Sequence, residues 1–265
     1  MGSYLDDLLA GARTRVAADR QRVTLAEVQR AAEQAPNAPS FRQALNTPDV
    51  AVIAEVKRAS PSKGMIAPQL DAVLQASKYI AGGAAAISVL TEPEWFHGSL
   101  ADLIAVSALG VPTLRKEFIV DPYQVFEARA AGAAAVLLIV AALDEPQLHN
   151  LYDTARSIGL DVLVEVHDTA EAQTALGVGA EIIGVNARDL CSFTLDPNGF
   201  QRVRDTLPDE VIAIAESGVR TPEDVMRYAR QGAAAVLIGE QFVRAEDPQQ
   251  EVQKFVAAGR GQVSV

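Results

Sequence analysis

Four times along the chain a Gly-Ala pair is followed by an aliphatic run, and this repeat leaves few folds open. The pairs are Gly83-Ala84 before AAISVL, Gly132-Ala133 before AAVLLIV, Gly179-Ala180 before EIIGVN and Gly232-Ala233 before AAVLIGE, at intervals of 49, 47 and 53 residues. Midway between them stand four further apolar runs that end in charge: AVIAEVK (51–57), PTLRKEF (112–118), DVLVEVH (161–167) and VIAIAES (211–217). Self-similarity at a fixed period marks one supersecondary unit used repeatedly. Short, near-continuous apolar runs rich in β-branched residues are the pattern of parallel strands buried on both faces.

Helical start and stop signals separate these runs. Asp121-Pro122 opens a helix that ends near Gly132, and Thr221-Pro222-Glu223-Asp224 opens one that ends near Gly232, using the preference for a cap and proline at the start and glycine after the end. Eight strand-helix units of roughly 25 residues give about 200 residues, the size of a (β/α)8 TIM barrel. A doubly wound open sheet normally has fewer strands, and no G-x-G-x-x-G follows the first strand.

Residues 1–48 precede the first strand. They read as an N-terminal helical extension packed on the barrel of residues 49–265, with helices over residues 4–22 and 24–35. Thr24 and Glu27 form a capping box at the start of the second. Pro36, Pro39 and Pro48 then read as a linker.

Composition narrows the partners. The chain has 23 basic and 34 acidic residues, a net charge of −11, whereas nucleic acid and anionic membranes demand a basic footprint. No apolar stretch approaches the roughly 18 residues of a membrane span, and the N-terminus lacks the apolar core of a secretory signal. These features lead us to expect a cytoplasmic protein, monomer or weak homodimer. One cysteine, Cys191, and three histidines make a zinc site improbable, since structural zinc usually takes four Cys/His ligands. Cys191, His97 and His149 are expected to be structural or surface residues, and His167 at most to support a neighbour.

In a (β/α)8 barrel the C-terminal strand ends and the loops after them build the active site. That rule collects Glu55 and Lys57 from the first strand, Lys116 from the third, Glu165 from the fifth, Asn186 and Arg188 after the sixth, and Glu216 and Ser217 after the seventh. Only five of the basic residues are lysines, and Lys57, Lys63 and Lys116 all fall on this face. A single charge at a strand end is commonly a solvated rim residue, but inward positions are otherwise apolar layers, so the set stands out. Opposite charges in a partly desolvated mouth shift one another's pKa values and supply general acids and bases.

The last two strands end in Glu216-Ser217-Gly218 and Gly239-Glu240. The loops after strands seven and eight, with a short extra helix, are the usual phosphate site of this fold, and residues 240–244 are candidates for that helix. The polar loop Ala59-Ser60-Pro61-Ser62-Lys63-Gly64 reads either as a flexible lid, with hydroxyls and a cation able to meet the same anion, or as a simple turn, and it lacks the spacing of a Walker A loop.

Taken in order, IAEVKRASPSKG (53–64), SVLTE (88–92), LRKEF (114–118), LVEVH (163–167), IGVNARDL (183–190) and AESG (215–218) resemble the indole-3-glycerol phosphate synthase family. The resemblance covers about residues 50–244 and extends to the helical N-terminus. It implies a lyase of tryptophan biosynthesis that closes the indole ring of 1-(o-carboxyphenylamino)-1-deoxyribulose 5-phosphate, with loss of CO2 and water. It further implies that Lys116 is the general acid on the ketone oxygen and that Lys57 pairs with the substrate carboxylate and serves dehydration. Glu165 would be the general base, with Glu55 and Glu216 orienting these groups. Asn186 and Arg188 would support substrate and loop geometry, Phe118 and Leu137 the apolar anthranilate pocket, and Ser60, Ser217, Gly218, Gly239 and Glu240 the phosphate side. No metal or organic cofactor is implied. Glu240 stands where many relatives carry serine; a carboxylate beside phosphate would repel, so only its backbone N–H is expected to face the ligand. Two alternatives are a phosphoribosylanthranilate isomerase, which would be expected to carry a Cys/Asp pair where Glu55 and Lys57 stand, and a catalytically silent barrel.

Overall fold

Each of the eight apolar runs forms a strand in the computed structural model of the chain, which describes residues 4–188 and 194–261. The strands are β1 (Ala51–Val56), β2 (Ala86–Leu90), β3 (Thr113–Lys116), β4 (Ala135–Ile139), β5 (Asp161–Val166), β6 (Ile182–Asn186), β7 (Ile212–Glu216) and β8 (Ala235–Ile238). All pair in parallel with their sequence neighbours, and β8 closes on β1 through Ala51↔Ala235 to Ala54↔Ile238. The fold is a closed (β/α)8 barrel.

Alternation along each strand divides the core in two. Ile53, Ala86, Leu114, Leu137, Leu163, Ile182, Ile214 and Leu237 fill the barrel interior. Val52, Ala54, Ile87, Val89, Val136, Val164, Ile183 and Val236 face outward and pack with the surrounding helices. Both faces are dry, so a charged side chain can occupy an inward position only in the layer where the barrel opens.

The helices around the barrel are α4 (Ala72–Ala81), α5 (Leu100–Ser107), α6 (Pro122–Ala130), α7 (Glu145–Ser157), α8 (Thr169–Gly177), α9 (Gly199–Arg204), α10 (Pro222–Arg230), α11 (Glu240–Arg244) and α12 (Pro248–Gly259). Ahead of β1 come α1 (Tyr4–Arg22), α2 (Leu25–Gln34) and α3 (Phe41–Leu45). Most begin on a side chain that accepts from the first-turn N–H groups, as Asp71, Ser99, Asp121, Asp144, Asp168, Thr221 and Asp247 do. Such a cap is worth about 1 kcal/mol. Thr24 and Glu27 form the expected capping box on α2.

Two segments differ from their expected form. The proline-flanked stretch before β1 is not a plain linker: it contains α3, capped by Ser40. Phe41 and Leu45 of α3 are fully buried in the interior barrel cluster, and the Arg42 N–H donates to Asp161 at the start of β5 (2.9 Å). The helix therefore stoppers the barrel at the end opposite the strand C-termini. The polar loop after β1 is likewise ordered as a small antiparallel hairpin, Ala59–Ser60 against Gly64–Met65.

The other two N-terminal helices lie on α6 and the barrel mouth. Val16, Val28 and Tyr123 form a satellite core. Arg129 donates to the Pro36 and Ala35 carbonyls (2.8 and 2.9 Å), and Arg20 pairs with Asp121 (2.6 Å). Arg15 on α1 reaches Glu92 after β2 (3.1 Å) and Glu117 after β3 (3.3 Å).

Candidate active site

The C-terminal strand ends surround a cavity of about 400 Å3, and every site residue expected from the sequence lies in its wall. Its centre is the Lys116 ammonium. Nζ stands 3.5 Å from Glu216 Oε2, 3.6 Å from Glu165 Oε2 and 4.0 Å from Glu55 Oε2. Lys57 pairs with the same Glu55 through Oε1 at 2.8 Å. The strands place these groups together because each is the next inward position above an interior aliphatic: Glu55 above Ile53, Lys116 above Leu114, Glu165 above Leu163 and Glu216 above Ile214.

Burial would drive the three carboxylates toward their neutral form, and the neighbouring cations decide which resist. Burial raises Glu55, but Lys57 and Lys116 outweigh it and hold the carboxyl below its ordinary value. Glu165 is likewise held low, by Lys116, His167 and the Asn186 amide, which donates to Oε1 at 3.1 Å. Glu216 is pushed up to about 8 by burial and by the charge of Glu165 beside it. Two adjacent carboxylates cannot both ionise cheaply, so the pair holds one proton between them, and Glu216 is the member pushed toward the protonated form. Burial pulls Lys116 down, but the carboxylates Glu216, Glu165 and Glu55 overcome it and lift the ammonium well above the ordinary lysine range.

Two glycines make room for these contacts. A Cβ on Gly184 would collide with Glu216 Oε1, and one on Gly239 would stand 2.6 Å from Glu55 Oε1 and 3.0 Å from Lys57 Nζ. Gly239 was expected on the phosphate side; it also serves as the clearance for the Glu55–Lys57 pair.

Phe118 and Leu137 lie in the apolar part of the wall with Phe96, Leu90, Ile139 and Leu237. The Phe96 and Phe118 ring centroids are 6.3 Å apart. Ser60, Lys63, Ser217, Gly218, Arg220, Gly239 and Glu240 line the same cavity. Ser217 has φ +64° and Gly218 φ +75°, and a non-glycine residue in the left-handed region is an outlier of the kind that clusters at functional sites. The Glu240 carboxylate is engaged by Arg244 one turn along α11 (3.0 Å), so its charge is offset. Arg188 lies in the wall, its backbone N–H donating to Asn186 Oδ1 (3.1 Å). Asp189, Leu190 and Cys191 lie outside the described residues.

Sequence reasoning missed the part played by α1. Tyr4, Leu5 and Leu8 line the cavity, so the N-terminal extension forms part of the wall. Phe96, Arg220 and Arg244 were also overlooked as wall residues. Among the described residues no group of three or more His, Cys, Asp or Glu could hold a metal ion, and no helix is long and apolar enough to cross a membrane. His149 is exposed on α7, as expected, whereas His97, expected to pack within its loop, is exposed as well.

Fold and site together define a (β/α)8-barrel enzyme with an acid–base centre at the strand C-termini and a neighbouring polar, glycine-containing rim. Comparison with known proteins supplies the family. The model of the indole-3-glycerol phosphate synthase family matches residues 5–255. The indole-3-glycerol phosphate synthase of Mycolicibacterium gilvum is 52% identical over 98% of this chain and 96% of its own length, and that of Streptomyces griseus is 51% identical over 97% and 96%. The chain belongs to the indole-3-glycerol phosphate synthase family, carboxy-lyases of tryptophan biosynthesis. Among solved structures, the 3-hexulose-6-phosphate synthase of Salmonella typhimurium superposes with a TM-score of 0.66 at 16% identity, covering 81% of this chain and all of that one. The thiamine phosphate pyrophosphorylase of Pyrococcus furiosus gives 0.63 at 14%, covering 85% and 100%. These likenesses speak to the fold alone.

Proposed function

We propose that the cavity converts 1-(o-carboxyphenylamino)-1-deoxyribulose 5-phosphate to indole-3-glycerol phosphate, with Lys116 as general acid and Glu165 as general base. The observation that carries this reading is the Lys116 ammonium set between Glu165 and Glu216 above a dry apolar floor. Ring closure turns the ketone oxygen into a developing alkoxide, and a cation fixed in a water-poor site both stabilises that charge and delivers the proton. Glu165, ionised and oriented by Asn186, removes the proton whose loss makes the ring aromatic. Lys57 exchanges part of its hold on Glu55 for the substrate carboxylate and serves dehydration. Glu55 and protonated Glu216 fix the two lysines.

Phe118, Leu137 and Phe96 offer the aryl ring an apolar wall, and Arg188 borders it. Ser60, Ser217, Gly218, Gly239 and the Glu240 backbone N–H form the phosphate side, with Lys63 nearby. Residues 1–48 act as a helical extension to a catalytic barrel of residues 49–265. The protein works in the cytoplasm as a monomer or weak homodimer, without metal, organic cofactor or nucleic-acid partner.

The test is ring closure by purified protein under multiple turnover, read by indole fluorescence; absence of product refutes the function. Within it, Lys116→Met is expected to lower kcat at least about 10²-fold, the smaller end of what general acids contribute, while substrate still binds. Unchanged turnover removes Lys116 from its role.

A further inference from the structure

His167 ends the run that carries Glu165, yet it does not line the cavity and the chemistry above leaves it idle. Its ring is built into place. Glu171, in the first turn of α8, accepts both the His167 backbone N–H (2.8 Å) and ring Nδ1 (3.0 Å). Asp168 caps the same turn by accepting from the Ala170 and Glu171 N–H groups. A carboxylate acceptor requires hydrogen on Nδ1, which leaves Nε2 as the position that gains or loses a proton. Nε2 is buried, has no hydrogen-bond partner and stands 3.6 Å from Glu165 Oε1.

The charged groups facing the ring are Glu165 on β5, Glu171 on α8 and Glu216 at the end of β7. Burial pulls the ring's proton affinity down, but the Glu171 hydrogen bond and the acids Glu165 and Glu216 prevail and hold it above the ordinary histidine value. In the resting centre Lys116 offsets the charge of Glu165. Once Lys116 gives its proton to the substrate, that offset is gone at the stage when Glu165 must stay ionised.

We infer that His167, oriented by Glu171, is the positioning residue of Glu165: as an imidazolium it presents Nε2–H to Glu165 Oε1 and keeps that carboxylate ionised and aimed while Lys116 lacks its proton. The separation of 3.6 Å is longer than a hydrogen bond, and catalytic hydrogen bonds commonly tighten only with substrate in place. Neutral His167 would instead turn a lone pair toward the carboxylate. This inference rests on the reading of Glu165 as general base.

The test is the single-turnover rate of ring closure against pH in wild type, His167→Asn and Glu171→Gln, with the histidine rings followed by NMR. Three histidines in the chain make the ring signals assignable. Wild type is expected to lose rate on its alkaline side at the pH where the His167 ring titrates. His167→Asn is expected to be roughly tenfold slower at neutral pH, a fraction of the roughly 10²-fold that about 1 Å of misplacement of a reacting group costs, with unchanged substrate affinity, and to meet the wild-type curve above that limb. Glu171→Gln is expected to move the limb and the ring's midpoint to lower pH together. A His167→Asn profile that superimposes on wild type, or lies below it by the same factor at every pH, overturns the inference. Should His167→Asn not fold, the Glu171→Gln limb and midpoint decide: failure to move together overturns it. Glu165→Gln separates the two readings. An unchanged rate there refutes the base assignment itself, whereas a lost rate beside an unaltered His167→Asn profile refutes only the role of His167.

Discussion

Gly184 shows how much of the acid–base centre depends on a residue with no side chain. It faces Glu165 across one strand pairing and Ile214 across the other, and the space its Cβ would fill is taken by the Glu216 carboxylate and Leu163. The requirement is for clearance, since both neighbours belong to the barrel interior. Gly184→Ala is therefore expected to fold, to displace Glu216 and to lower kcat on the order of 10²-fold, the effect of about 1 Å of misplacement at a reacting centre. Steady-state kinetics beside circular dichroism checks this; wild-type turnover in a folded variant would show that the Glu216 position is not critical. The lysines and glutamates were legible in the sequence because charge is conspicuous where the barrel pattern demands an aliphatic layer. Gly184 was not, because IGVN reads as an ordinary strand and nothing in it announces the carboxylate of β7. The tether from Glu171 to His167 spans four residues across a strand-to-helix turn, a contact that periodicity within either element does not show.

The strands and most helices were readable for reasons that act over one element: buried parallel strands are uniformly apolar, and capped helices start with Asp, Ser or Thr and often proline. The short α3 escaped because its five residues are too few to display a helical period and its flanking prolines resemble a linker. Its value is tertiary. Phe41 is completely buried among Ala51, Ile53, Ile182 and other interior residues of the barrel, so it plugs the end remote from the chemistry. Phe41→Ala is expected to cost about 3–5 kcal/mol, the range for removing a large aromatic from a core. Because the active site lies at the other end of the strands, kcat measured well below the unfolding transition should be unchanged. Denaturant unfolding paired with kinetics tests both parts; a loss of kcat without loss of stability would mean that the plug shapes the site. The α1 residues Tyr4, Leu5 and Leu8 were hidden for a related reason. An amphipathic helix shows which residues it buries, and does not show which cavity they border.

The whole molecule carries a net charge of −11, while its centre is balanced: Lys57 and Lys116 face ionised Glu55 and Glu165, and Glu216 keeps its proton. That balance ties global stability to pH. Glu216 holds its proton in the folded protein up to about pH 8, whereas in the unfolded chain it releases it near the ordinary glutamate value of about 4.3. Between these limits the folded state binds more protons than the unfolded state, so stability falls as pH rises across the window. Glu55 and Glu165 are held low and act in the opposite sense; their contribution is present above the ordinary value and is lost only on acidification. Lys116 is held high, so its contribution is complete throughout the window and is lost only at strongly alkaline pH. Glu216→Gln replaces a protonated carboxyl with a neutral group of the same shape and removes the one alkaline-sensitive proton among the three carboxylates. Its Tm should therefore rise relative to wild type as pH increases from about 5, and the difference should level off above about 8, while kcat falls because the amide cannot exchange a proton with Glu165. A Tm difference that stays constant from pH 5 to 9 would place the shared proton elsewhere. The expected trade of stability against activity at one residue is what a proton stored beside an ionised base entails: the arrangement that readies the centre for acid–base chemistry is under electrostatic load in the resting fold.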